Sequence, residues 1–191
     1  MDSQRHLLAK HLVQRSYVRG DFVLASGRRS EYYFDCRLTT CFAEAMPLIG
    51  RAFLAELERL GVQARSVGGL TSGSDPIAAA VALCSMAGGR PIDLFSVRKE
   101  RKAHGMRKWV EGCPVSPAAV VDDVATSGKS VVQAIERCRE EGLEVAGVVV
   151  LVDREEGGMD AIRAAAPGVP VSALFARSQL DALRASERGE G

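Results

Sequence analysis

The sequence predicts an α/β protein, with a Rossmann-like central parallel sheet flanked by helices and a small N-terminal hood. Three observations point there. From residue 66 onward, short apolar runs alternate with helical segments, the pattern of parallel strands joined by crossover helices. One run, VAGVVVLVD (145–153), is apolar at nearly every position, as a strand covered on both faces must be. Glycine-containing turns lie where two of the runs end and helices begin, and in open α/β sheets that edge holds the ligand.

Taken in order, residues 5–16 set Leu7, Leu8 and Leu12 on one side of a short helix. FVLASGRRSEYYFDCR then holds two β-like runs, 22–24 and 32–35, around a Ser-Gly turn, which reads as a hairpin. Residues 44–60 repeat apolar positions at three and four, and Gly61 closes that helix. SVGGL (66–70) is a short strand and TSGS a tight loop. A helix runs from Asp75-Pro76 through Met86; Asp75 fits an N-cap and Pro76 a first turn. IDLFSV (92–97) and AAVVDD (118–123) are strands. Residues 130–141 form a helix ended by Gly142, 145–153 a strand, 159–166 a helix, 169–174 a last strand and 178–186 a terminal helix. No linker or solenoid repeat divides the chain, so 1–191 reads as one domain, with roughly 18–40 as the hood.

Composition narrows the function. The chain has 191 residues, 47% of them hydrophobic and 26% charged, with a formal net charge of +1. That suits one soluble domain without bulk attraction to nucleic acid or membrane. Five cysteines show no CxxC pair or metal-ligand spacing, which reads as reduced thiols in the cytoplasm. No apolar leader or membrane-length run is expected.

Four stretches converge on one sheet edge. VVDDVATSGKS (120–130) ends like a P-loop, but Asp123 stands where that motif needs its first glycine, which disfavours a nucleotide-hydrolysing loop. Its hydroxyls, Gly128 and the helix start make an anion cradle. Asp122 and Asp123 would repel a phosphate there, and suit sugar hydroxyls or a magnesium held through water. In VRKERKAHGMRKWVEG (97–112), six basic side chains crowd around His104-Gly105 without helical period. Such a long charged loop suits a lid over a polyanion. GGLTSGSDP repeats the strand, loop and helix start, and Arg154 directly follows a central strand, where it could meet a carboxylate.

These segments, in this order, resemble the type I phosphoribosyltransferases, and among them the orotate phosphoribosyltransferase family. The acid-pair loop VVDDVATSGKS carries the broader resemblance; RKERKAHG followed by WVEG, with FVLASGRRSEYYFD and LVDREEGG, carries the narrower one. The resemblance implies the type I phosphoribosyltransferase fold and transfer of the 5-phosphoribosyl group from 5-phosphoribosyl 1-diphosphate (PRPP) to orotate, with Mg2+ as cofactor. It implies that Asp122 and Asp123 meet the ribose hydroxyls, and that Val124, Ala125, Thr126, Ser127, Gly128, Lys129 and Ser130 form the 5-phosphate loop. Arg98, Lys99, Lys102 and His104 would hold the diphosphate, and Thr126 and Arg154 the orotate. Tyr33 and Phe34 match hood positions near the base. The 98–112 segment would be a mobile catalytic lid whose Lys102 and His104 reach into the partner's site of a homodimer, and one of these two would protonate the leaving oxygen.

The chain departs from relatives that carry lysine at its Ala25 and an aromatic–lysine pair at its Ser72-Gly73, and Lys129 stands where glycine is common. The lid would then carry more of the diphosphate, with Lys129 offsetting some of the lost charge. A phosphoribosyltransferase for another base and a non-catalytic PRPP-sensing regulator are the rivals. The first is disfavoured by Arg154 with the lid, the second by an undegraded lid.

Overall fold

A computed structural model describes residues 3–23, 29–101, 108–187 and 189. The element order is α1 (Ser3–Arg15), β1 (Tyr17–Val23), β2 (Arg29–Phe34), α2 (Arg37–Thr40), α3 (Met46–Arg59), β3 (Ser66–Leu70), α4 (Asp75–Ala87), β4 (Asp93–Val97), β5 (Val110–Gly112), β6 (Ala118–Ala125), α5 (Lys129–Glu140), β7 (Val145–Asp153), α6 (Gly158–Ala165), β8 (Val171–Ala176) and α7 (Arg177–Glu187).

Strands β1 and β2 pair antiparallel as the expected hairpin, with longer arms than the sequence suggested. The other six form one sheet in the order β5-β4-β3-β6-β7-β8. Five are parallel, and β5 is an antiparallel edge strand along Phe95–Val97 of β4. The sequence did not suggest β5, because three residues are too few to show a two-residue period. The last three residues of the 98–112 segment therefore belong to the sheet.

Side-chain alternation along the central strands sends Val67, Ala119, Val121, Val149 and Leu151 to the face covered by α1, α3, α4 and α7. Ala118, Val120, Val148 and Val150 go to the opposite face, under α5 and α6. Each valine or leucine buried this way contributes about 1.5–3 kcal/mol, which holds the middle strands as a rigid frame. Asp75 is not the N-cap of α4 but its first residue; Ser74 takes the cap position and its hydroxyl bonds back to the Leu70 carbonyl at 3.0 Å. The Asp75 carboxylate instead accepts from Thr71 Oγ1 at 2.6 Å and Ser96 Oγ at 2.7 Å, tying the 71–74 loop to β4.

Candidate active site

At the carboxyl ends of β3, β4 and β6 lies a cleft of about 270 Å³. Strand β6 runs into it with Asp122 and Asp123, only 4% and 9% exposed. Asp122 Oδ1 accepts the Asp123 main-chain N–H at 3.0 Å. Burial pushes the Asp122 carboxyl well above the usual carboxylate range; the Asp123 charge adds to the rise and Lys99 opposes it. Burial also raises Asp123, while its hydrogen bond with Asp122 pulls the other way. Two adjacent buried acids cannot both ionise cheaply, so the pair favours a ligand bringing hydroxyl donors or positive charge.

Beyond the acids the chain turns into α5. Gly128 occupies the N-cap position at φ +76, and no side chain caps the helix. A Cβ on Gly128 would lie 2.6 Å from the Gly158 carbonyl oxygen, so both the backbone angle and the packing require glycine. The unspent N–H groups of the first turn, with Thr126, Ser127 and Ser130 lining the same wall, form an anion cradle. The facing wall is Thr71-Ser72-Gly73. A Cβ on Gly73 would come within 2.7 Å of Asp123 Oδ1 and 2.9 Å of Asp122 Oδ1. Lys99, just past β4, and Arg37, on α2, complete the lining.

The residues expected from sequence divide three ways. Lys99, Asp122, Asp123 and the 124–130 loop except Ala125 line the cleft. Ala125 is buried in β6. Arg98 pairs through Nη1 with Glu111 Oε2 at 3.2 Å and does not line the cleft. Arg154 is also outside the lining; its Nη2 pairs with Glu156 Oε1 at 3.0 Å, and its Nε is buried with no partner among the described residues. Phe34 is buried edge-on against Tyr17, so its ring belongs to the core. Tyr33 is exposed and lies against Phe22. Lys102, His104 and Ala25 lie outside the described residues.

Arg37 is the cleft residue that sequence reasoning missed. Its one signal is the acid–base spacing of Asp35-Cys36-Arg37 after a strand, and nothing local says that Arg37 shares a cleft with the end of β6. Among the described residues no group of three or more His, Cys, Asp or Glu side chains could hold a metal ion.

No protein-family model matches the chain. It is similar to the orotate phosphoribosyltransferase of Aquifex aeolicus, 43% identical over 182 residues that cover 93% of this chain and 97% of that one. Among solved structures it is similar to Mycobacterium tuberculosis orotate phosphoribosyltransferase in complex with Fe(III) dicitrate, at 38% identity and a TM-score of 0.82, covering 93% of this chain and 98% of that one. The same enzyme in complex with PRPP matches at 36% identity and a TM-score of 0.77, covering 93% and 99%.

Proposed function

Because the chain belongs to the orotate phosphoribosyltransferase family, we propose that the cleft at the ends of β3, β4 and β6 is its active site. The protein transfers the 5-phosphoribosyl group of PRPP to orotate, forming orotidine 5'-monophosphate and diphosphate in pyrimidine biosynthesis. The observation that carries this reading is one cleft lined by a buried acid pair and an uncapped helix start. The first suits sugar hydroxyls and the second a terminal phosphate.

In this reading Asp122 and Asp123 accept hydrogen bonds from the ribose hydroxyls, and the 126–130 loop holds the 5-phosphate. Positive charge grows on the ribose ring as diphosphate departs. Two buried carboxylates are stabilised by that charge more than by the neutral ring, so their interaction strengthens in the transition state. Lys99, with Arg98, Lys102 and His104, takes the negative charge that gathers on the leaving group. Lys102 and His104 are the groups assigned to proton delivery at the departing oxygen, and the lid excludes water that would hydrolyse the donor. Thr126 and Arg154 position orotate, which requires Arg154 to exchange its Glu156 partner for the orotate carboxylate.

Magnesium fits this donor set. Two carboxylates offer hard oxygens but too few for a protein-only cage, which suits an ion held mainly by donor oxygens and water with Asp122 and Asp123 behind it. When bound it neutralises charge on the leaving diphosphate. A homodimer that shares lid residues across its interface is part of the proposal. Leu83 and Met86 on α4, 73% and 66% exposed, give it an apolar contact face. A cytoplasmic location is part of the proposal, supported by five free cysteines; no helix among the described residues is long and apolar enough to cross a membrane.

Mixing the protein with PRPP, Mg2+ and orotate tests the reading. Orotate absorbance should fall with stoichiometric release of diphosphate. Unchanged orotate, with conversion of another base under the same conditions, would refute it.

A further inference from the structure

A donor carrying a diphosphate needs cations opposite the phosphate loop, and the 71–73 wall cannot supply one. Any side chain at position 73 would meet both acid carboxylates within 3 Å, at 2.7 and 2.9 Å. That wall therefore offers main-chain groups and the hydroxyls of Thr71 and Ser72 alone. Of the three cations that line the cleft among the described residues, Lys129 sits in the phosphate loop, which leaves Lys99 and Arg37.

Arg37 is unusually well prepared. Its Nε and Nη2 donate to the two oxygens of Asp35 at 3.0 and 2.9 Å, and its main-chain N–H donates to Asp35 Oδ1 at 3.0 Å. The Asp35 main-chain N–H in turn donates to the Ser16 carbonyl at 2.9 Å. One carboxylate thus fixes both the backbone and the side chain of Arg37. The fork-on-fork pair leaves Nη1 out, and that group can donate to phosphoryl oxygens. A guanidinium already held in place loses less rotamer freedom on binding than a free lysine.

Resting on the proposed function above, we infer that Arg37 is a diphosphate-binding residue of the donor site, oriented by Asp35. The pair replaces with a hood residue the cation that the 71–73 loop has no room to carry.

Calorimetry on the full chain with Mg2+ tests this, using inorganic pyrophosphate, ribose 5-phosphate and orotate as separate probes. Arg37→Gln should weaken pyrophosphate binding about ten- to a hundredfold, the loss of a charge-assisted contact, and leave ribose 5-phosphate within about twofold. Arg37→Lys should recover part of the loss, because charge returns without the fork, and Asp35→Asn should show an intermediate loss. Should Arg37→Gln fail to fold, these two variants decide. Pyrophosphate binding unchanged in the variants, equal losses for both phosphate probes, or a loss confined to orotate would each overturn the assignment. A parent protein that consumes orotate while Arg37→Gln binds pyrophosphate normally sinks this inference alone. A parent that consumes no orotate sinks the functional reading instead.

Discussion

The guanidinium of Arg137 stacks 3.9 Å from the ring centroid of Trp109. Arg137 is buried on α5, the helix that starts at the phosphate loop. It donates to the main-chain carbonyls of Arg98 and Lys99, the latter at 2.7 Å. The Trp109 main-chain N–H donates to Glu141 Oε1 at 2.8 Å, just past the end of the same helix. One helix thus grips the chain on both sides of the 100–108 segment and carries the cradle at its other end.

Arg137→Met should therefore destabilise the protein by about 1–3 kcal/mol, since two partly buried carbonyls lose a charged donor. KM for PRPP should rise more than KM for orotate, because Lys99 loses its anchor. Trp109 is the only tryptophan, so its fluorescence reports the change directly. An unaltered emission spectrum and an unaltered KM for PRPP would contradict this.

Asp122→Asn should raise thermal stability and abolish most activity together. In the folded state both acids bind protons above the ordinary carboxylate range. Their neutral forms add stability that is fully present at low pH and lost as pH rises through the raised values. The amide removes that loss and keeps an oxygen for the Asp123 N–H. The gain in Tm, about 2–4 °C for each kcal/mol released, should be largest near pH 8 and vanish as pH falls into the carboxylate range. Thermal scans at several pH values check it; a variant equally destabilised at every pH would count against the acid-pair account.

Lys102→Ala should lower turnover far more than it weakens orotate binding, because Lys102 is assigned to the leaving diphosphate and not to the base. Steady-state kinetics with both substrates varied measures the split. Equal losses in kcat and orotate affinity would remove Lys102 from the leaving-group role.

Lys129→Met should separate stability from binding. Lys129 is the first residue of α5, which has no acid in its first turn and no side-chain cap. A positive charge there opposes the helix dipole, so its removal should stabilise the protein by about 0.3–1 kcal/mol. PRPP affinity should fall about three- to tenfold with orotate affinity unchanged, the loss of one exposed phosphate contact. Donor affinity equal to that of the parent would show that Lys129 does not serve the phosphate.

Much of this was legible before any coordinate. The alternation of apolar runs and helices, the buried strand 145–153 and the acid pair ahead of Thr126–Ser130 are written in consecutive residues. Local periodicity and turn chemistry decide such features, so each element from β3 onward except β5 was expected within a few residues of its place. What the sequence did not show is which partner each polar or aromatic side chain takes once the chain has folded. Arg98 is engaged by Glu111 and Arg154 by Glu156, and Phe34 is taken into the core by Tyr17. Asp75 holds Thr71 and Ser96 rather than capping its helix.

By itself, then, the order of residues determined the parallel sheet, its flanking helices and the chemistry of the acid-pair loop, because neighbours along the chain suffice to specify a strand, a turn or a helix start. Only the packed structure decided that β5 closes the sheet edge against β4, that Gly73 lies against both carboxylates, and that Arg37 lines the same cleft as the acid-pair loop. Those contacts join segments many residues apart, and their geometry exists only once the two hydrophobic layers have closed around the sheet.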